Sequence, residues 1–144
     1  MKVLILRSAL TALACASVIA LASPSMAATV NLKATLSGKA EVPPNDSTAS
    51  GELAATFDDA TKKLTWKGSY KGLAQPATAA HFHGPAPEGR NAGVAIPIVP
   101  NGPEFEGSAT LTDVQAKELL AGEWYVNIHT AANRAGELRG QLTK

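Results

Sequence analysis

Gly51-Glu52-Leu53-Ala54-Ala55-Thr56-Phe57-Asp58-Asp59-Ala60-Thr61-Lys62-Lys63-Leu64-Thr65-Trp66-Lys67-Gly68-Ser69-Tyr70-Lys71 is the stretch that decides the fold. Gly51, Leu53, Ala55 and Phe57 alternate with Glu52, Ala54, Thr56 and Asp58. After a turn at Asp58-Asp59-Ala60-Thr61, Leu64, Trp66, Gly68 and Tyr70 alternate with Lys63, Thr65, Lys67, Ser69 and Lys71. Successive side chains of an extended chain point to opposite faces, so this period of two puts one face in a core and the other in water. Two such runs about a turn predict a hairpin. The alternating lysines keep its outer face soluble.

The same pattern extends in both directions. Val30, Leu32, Ala34 and Leu36 alternate with Asn31, Lys33, Thr35 and Ser37 before the hairpin. After the breaker Gln75-Pro76 comes a short strand from Thr78 to His83, then a Gly/Pro-rich loop from Gly84 to Gly93. Val94 to Val99 is apolar but carries Pro97, which cannot donate to a ladder and so suits an edge or irregular strand better than a central one. Asn101-Gly102-Pro103 is a turn into a strand from Phe105 to Leu111. Trp124 to Thr130 and Glu137 to Leu142 read as the last two strands. One helix lies between: Thr112 is its N-cap, Gln115 completes a capping box, Asp113 suits its positive end and Gly122 terminates it. Val114, Leu119 and Leu120 are expected to face the sheet. The fold class is all-β, an antiparallel β-sandwich or barrel of about eight strands with one short helix.

The N-terminus is built differently. Lys2 and Arg7 precede an uncharged apolar run from Ser8 to Ala22, and Ser23-Pro24-Ser25-Met26-Ala27 then ends in small residues. Ser25 and Ala27 fit the −3 and −1 positions of a signal-peptidase site, so residues 1–27 are expected to be a signal peptide. Cleavage after Ala28 is the near alternative. The apolar run is short for a membrane span, which needs about 20 residues. The protein is therefore expected to be exported, to a periplasm or beyond it, as one domain over residues 28–144.

Cys15, the only cysteine, falls inside this leader. Ala12-Leu13-Ala14-Cys15 is a poor lipobox, with Leu one place out, so the exported domain is read as having no thiol and no disulfide. Removing Lys2 and Arg7 turns a formal charge of +1 into about −1. That balance argues against a nucleic-acid surface, which needs a clustered basic face. Nothing after the leader suggests a membrane-active helix.

All three histidines sit in two short strands, as His81-Phe82-His83-Gly84 and Asn127-Ile128-His129-Thr130. On a strand His81 and His83 share one face and Phe82 takes the other, while Tyr125, Asn127 and His129 share a face opposite Trp124, Val126 and Ile128. If the two strands lie close, three imidazoles converge. Three neutral imidazoles suit copper or zinc. His81, His83 and His129 are thus the candidate metal ligands and copper is the candidate cofactor, ahead of zinc. A second reading gives them structural work, capping the loop at Gly84-Pro85 and the turn at Thr130 by hydrogen bonds; the residues alone leave both open. No carboxylate lies beside either motif to act as the base of a zinc hydrolase. Glu88, on the loop after His83, reads as a solvated charge.

The chain resembles the CHRD domain family, named for its repeats in chordin and also found as single-domain exported proteins in bacteria. The resemblance is carried by Leu36-Ser37-Gly38 with Glu41-Val42-Pro43-Pro44, and by Ala79-Ala80-His81-Phe82-His83-Gly84-Pro85-Ala86. It continues through Leu111-Thr112-Asp113, Leu120-Ala121-Gly122, Tyr125-Val126-Asn127-Ile128-His129-Thr130 and Gly136-Glu137-Leu138-Arg139-Gly140-Gln141-Leu142. It implies an immunoglobulin-like or barrel-like all-β fold and says little about activity. The cysteine-rich modules that bind growth factors beside these domains in chordin have no counterpart here. Glu41, Glu137 and Arg139 are the family's charged positions, and an ion pair from Arg139 to either glutamate is expected to fasten the first loop to the last strand.

Three functions follow from this reading. The first is a non-catalytic binding or structural module whose histidines hold a transition metal. The second is a copper enzyme like a superoxide dismutase, against which stand the missing disulfide and too few histidines for a two-metal site. The third is an adhesive surface module without metal. No serine sits in a nucleophile elbow and no phosphate-binding glycine loop occurs.

Overall fold

Eight antiparallel strands hydrogen-bond into a single sheet in the computed structural model, which describes residues 28–144. The leader read over residues 1–27, with Cys15, lies outside the described residues. The strands are β1 (Thr29–Ser37), β2 (Ser50–Asp58), β3 (Lys63–Lys71), β4 (Ala77–His83), β5 (Val94–Ile98), β6 (Glu104–Thr110), β7 (Tyr125–Thr130) and β8 (Leu138–Gln141). Helix α1 (Asp113–Leu120) lies between β6 and β7. Their order across the sheet is β5-β4-β7-β8-β1-β2-β3-β6.

The hairpin forms in the register that its alternation demands. Phe57 faces Leu64, Ala55 faces Trp66 and Leu53 faces Gly68. β1 joins on the other side of β2, with Val30 opposite Phe57 and Ala34 opposite Leu53. One face of the sheet thus becomes continuously apolar, and the sheet curls to bury it. Trp66 of β3 meets Phe82 of β4 edge-on, with ring centroids 5.0 Å apart. These strands are separated by four others in the sheet, so only a nearly closed, barrel-like curl brings them together. Leu36, Phe57, Leu64, Phe82, Trp124, Val126, Ile128, Leu138 and Leu142 fill the interior.

β5 and β6 are the two ends of the sheet. Pro97 lies in β5, opposite His81 of β4. It has no N–H to offer a further strand, which blunts that edge. Gly107 of β6 has a packing role: a β-carbon there would lie 2.5 Å from the Trp66 ring, closer than packed carbons approach. Gly107→Ala is expected to cost about 1–2 kcal/mol through overpacking, measured by urea denaturation. A variant as stable as the parent would show that the Trp66 ring moves freely.

The helix starts as its residues dictate. Thr112 Oγ1 accepts from the Gln115 N–H at 3.2 Å, and the Thr112 N–H donates to Gln115 Oε1 at 3.0 Å. Gly122 follows at φ +77°, in the left-handed region where glycine carries no Cβ penalty. Leu119 and Leu120 pack on the core as expected, and the face differs from expectation at Val114. Ala116 and Leu119 are buried, whereas Val114 is 64% exposed. At about 100° per residue, Val114 is some 200° around the axis from Ala116, so burying 116 and 119 turns 114 outward. Among the described residues no helix is long and apolar enough to cross a membrane.

Candidate metal centre

β4 and β7 are hydrogen-bonded neighbours, so the two histidine motifs share one ladder. Ala79 pairs with His129, His81 with Asn127 and His83 with Tyr125. Phe82, Val126 and Ile128 turn into the barrel. His81, His83, Tyr125, Asn127 and His129 therefore project together from its outer face. β8 extends the same face, placing Arg139 opposite Asn127 and Gln141 opposite Tyr125.

This outer face is not left to solvent. The segment from Gly84 to Gly93 straps across it, burying Tyr125, Asn127 and Arg139 and leaving His83 only 8% exposed. Polar contacts hold the strap. Ala92 receives the His83 Nδ1–H on its carbonyl at 3.0 Å and gives its own N–H to the Tyr125 hydroxyl at 3.1 Å. Arg139 donates from one guanidinium nitrogen to Asn91 Oδ1 at 2.9 Å and from the other to the Arg90 carbonyl at 2.7 Å. Its carbon lies 3.5 Å from the centroid of the Tyr125 ring, and His83 stacks parallel to that ring with centroids 4.8 Å apart.

The imidazoles converge. His81 Nδ1 and His129 Nε2 are 3.0 Å apart, a spacing that serves either one hydrogen bond or two ligands on one ion. One ligand nitrogen from each of His81, His83 and His129 lies within 4.8 Å of the other two. Metal–imidazole bonds of about 2.0–2.1 Å place tetrahedral ligand nitrogens about 3.4 Å apart, so an ion would draw the farthest pair together by roughly 1.4 Å. His129 Nδ1–H donates to the Arg134 carbonyl at 2.9 Å. A backbone carbonyl takes the Nδ1 proton of both His83 and His129; the His129 Nε2 keeps its lone pair, whereas the His83 Nε2 faces the Asn127 oxygen, an acceptor that has to turn away for this nitrogen to ligate. Carbonyls commonly orient metal-ligating histidines in this way. His83 Nε2 lies 2.9 Å from the Asn127 amide oxygen.

The electrostatics favour neutral rings. Burial lowers the His81 pKa below its ordinary value, helped by the neighbouring His129 and His83. Burial also lowers that of His83, and its hydrogen bonds to Ala92 and Asn127 offset the effect only in part. Neutral imidazoles are the form that binds transition metals.

All three histidines read from the sequence meet in one cluster, and no Asp or Glu joins them among the described residues. Glu88 stays exposed on the strap. The ion pair expected of Arg139 is not formed: among the described residues the ion pairs are Lys62–Asp59 and Lys67–Glu106, both on the surface. Arg139 spends its donors on the strap instead, because Asn91 and the Arg90 carbonyl lie directly in front of its planar fork. The first loop is fastened by other groups. Asn45 donates to the carbonyls of Gly136 and Glu137, and Glu137 accepts from Ser47 at 2.7 Å and Thr130 at 2.6 Å.

Glu41 packs its carboxylate over Gly136, and its Oε1 is buried without a hydrogen-bond partner. Burial pushes its pKa up to about 7, against the opposing pull of Arg139 and the Val42 N–H. The sequence reading missed the contacts of the strap and the Arg134 carbonyl. The shared face of Tyr125, Asn127 and His129 was the signal available for part of this network.

Residues 32–142 match the family model of the CHRD domain. No curated protein and no solved structure matches the chain.

Proposed function

The chain belongs to the CHRD domain family, and from that premise we propose that it is an exported, non-catalytic binding module whose His81, His83 and His129 hold a transition-metal ion, copper before zinc. One observation carries the reading. The domain's entire histidine supply meets on one strand ladder, with the nitrogens within 4.8 Å of one another and two of the rings oriented by backbone carbonyls. The all-imidazole donor set fits copper or zinc. A bound ion would tie β4 to β7 and to the turn that carries Arg134. Export to a periplasm or beyond rests on the pattern of residues 1–27 and would bring the cluster where copper is encountered.

A second reading keeps the cluster structural. Both ring nitrogens of His83 already have polar neighbours, Ala92 and Asn127, which is what a histidine that only fastens the strap requires. Calorimetric titration of Cu(II) and Zn(II) into the protein, beside a His81→Ala/His83→Ala variant, separates the two. Saturable binding that weakens at least tenfold in the variant supports the metal centre. Equal, weak binding by both proteins leaves the structural reading, and so does a thermal melt unmoved by chelator or added metal.

A further inference from the structure

A cleft of about 400 Å³ opens beside the cluster, lined by Thr78, Ala79, His81, His129, Ala131 and Arg134 among others. Its position is set by the ladder. His83 is closed off beneath the strap, whereas His81 and His129 are half-buried and form the inner wall of the cleft. Any ion held by the three nitrogens would thus be walled by protein on the sheet and strap sides. The cleft is the side from which a further ligand would reach it.

Charge decides the class of that ligand. Three neutral imidazoles bring no negative charge, and no carboxylate joins the group. A divalent ion would keep both its positive charges, a balance that an incoming anion improves and a neutral ligand does not. Arg134 adds a further cation at the rim. Its carbonyl holds His129, the residue borders the cleft and is exposed, and among the described residues it has no carboxylate partner.

We infer that the cleft is an anion subsite, in which a small carboxylate or inorganic monoanion occupies the open position on the ion held by His81, His83 and His129 and is met by the Arg134 guanidinium. The inference rests on the metal reading and adds the ligand class and the residue that selects it. Arg134 is a binding residue here through its side chain alone, so removing that side chain leaves the carbonyl that orients His129.

The test uses the purified protein loaded with Cu(II) and titrated with azide, following the azide-to-copper charge-transfer absorption, with formate as competitor. The wild type is expected to give a saturable band that formate displaces. Arg134→Ala is expected to bind copper as before and azide roughly fivefold more weakly, the size of effect one partly exposed charge contact supports, and Arg134→Lys to recover much of the loss. Copper binding without an azide band, or azide binding as tight in Arg134→Ala as in wild type, overturns the subsite and leaves the metal centre standing. Failure to bind copper or zinc overturns the metal centre and the subsite with it.

Discussion

Arg139→Met is expected to lower stability by roughly 2–3 kcal/mol, a fall of about 6–15 °C in Tm for a domain of this size. The side chain is 2% exposed, so its guanidinium is almost wholly withdrawn from water. Its position is supported by the Tyr125 ring beneath it and by acceptors at Asn91 and Arg90. Met fills much of the volume but donates nothing. Two strap acceptors then lose their partner, on residues exposed enough for water to replace part of each bond, and the stacking on Tyr125 loses its charge. The damage spreads because Asn91 also donates to the Val42 carbonyl at 2.9 Å, so Arg139 tethers the strap that in turn grips the first loop. Arg139→Lys keeps the charge without the planar fork and is expected to fall between the two. Urea denaturation reads the loss. A cost below about 1 kcal/mol for Arg139→Met would mean that the strap is held without it.

The same residue marks where sequence reading succeeds and where it stops. The strands were legible because each has one buried face, and Leu53, Ala55 and Phe57 against Glu52, Ala54 and Thr56 announce this locally. The convergence of the histidines was legible only conditionally. Facing is a local property of His81-Phe82-His83, but the pairing of β4 with β7 crosses more than forty residues and has no periodic signature. A carboxylate is the expected partner of Arg139 because charge complementarity is what a sequence displays. The Arg90 carbonyl that it uses is a backbone group, present at every position and marked at none. Val114 was misjudged for a related reason: its side chain is apolar, but the angle that sets its exposure is fixed by Ala116 and Leu119 packing on the barrel.

Glu41→Gln is expected to leave stability unchanged near pH 4 and to raise it by on the order of 2–3 kcal/mol at pH 8. The Glu41 carboxyl has a folded pKa of about 7 against an ordinary 4.5. A carboxylate raised in this way contributes stability that is fully present below the unfolded value and lost as pH rises through the folded one. Between about pH 4.5 and 7 the unfolded chain releases a proton that the folded chain keeps, so folding weakens as pH climbs. Gln resembles the protonated acid and has nothing to release, so the difference between variant and wild type isolates this one group. His81 and His83 act in the opposite direction. Their lowered pKa values make the unfolded chain bind more protons, so their contribution is present above the ordinary value of 6.5 and declines as pH falls below it. That contribution is common to both proteins and cancels in the comparison. The alternative is that Glu41 is ionised in the fold and compensates the buried Arg139. In that case the variant would be less stable than wild type at pH 8, because Arg139 would lose a carboxylate that its charge attracts. Chemical denaturation of both proteins at pH 4, 6 and 8 distinguishes the outcomes by sign.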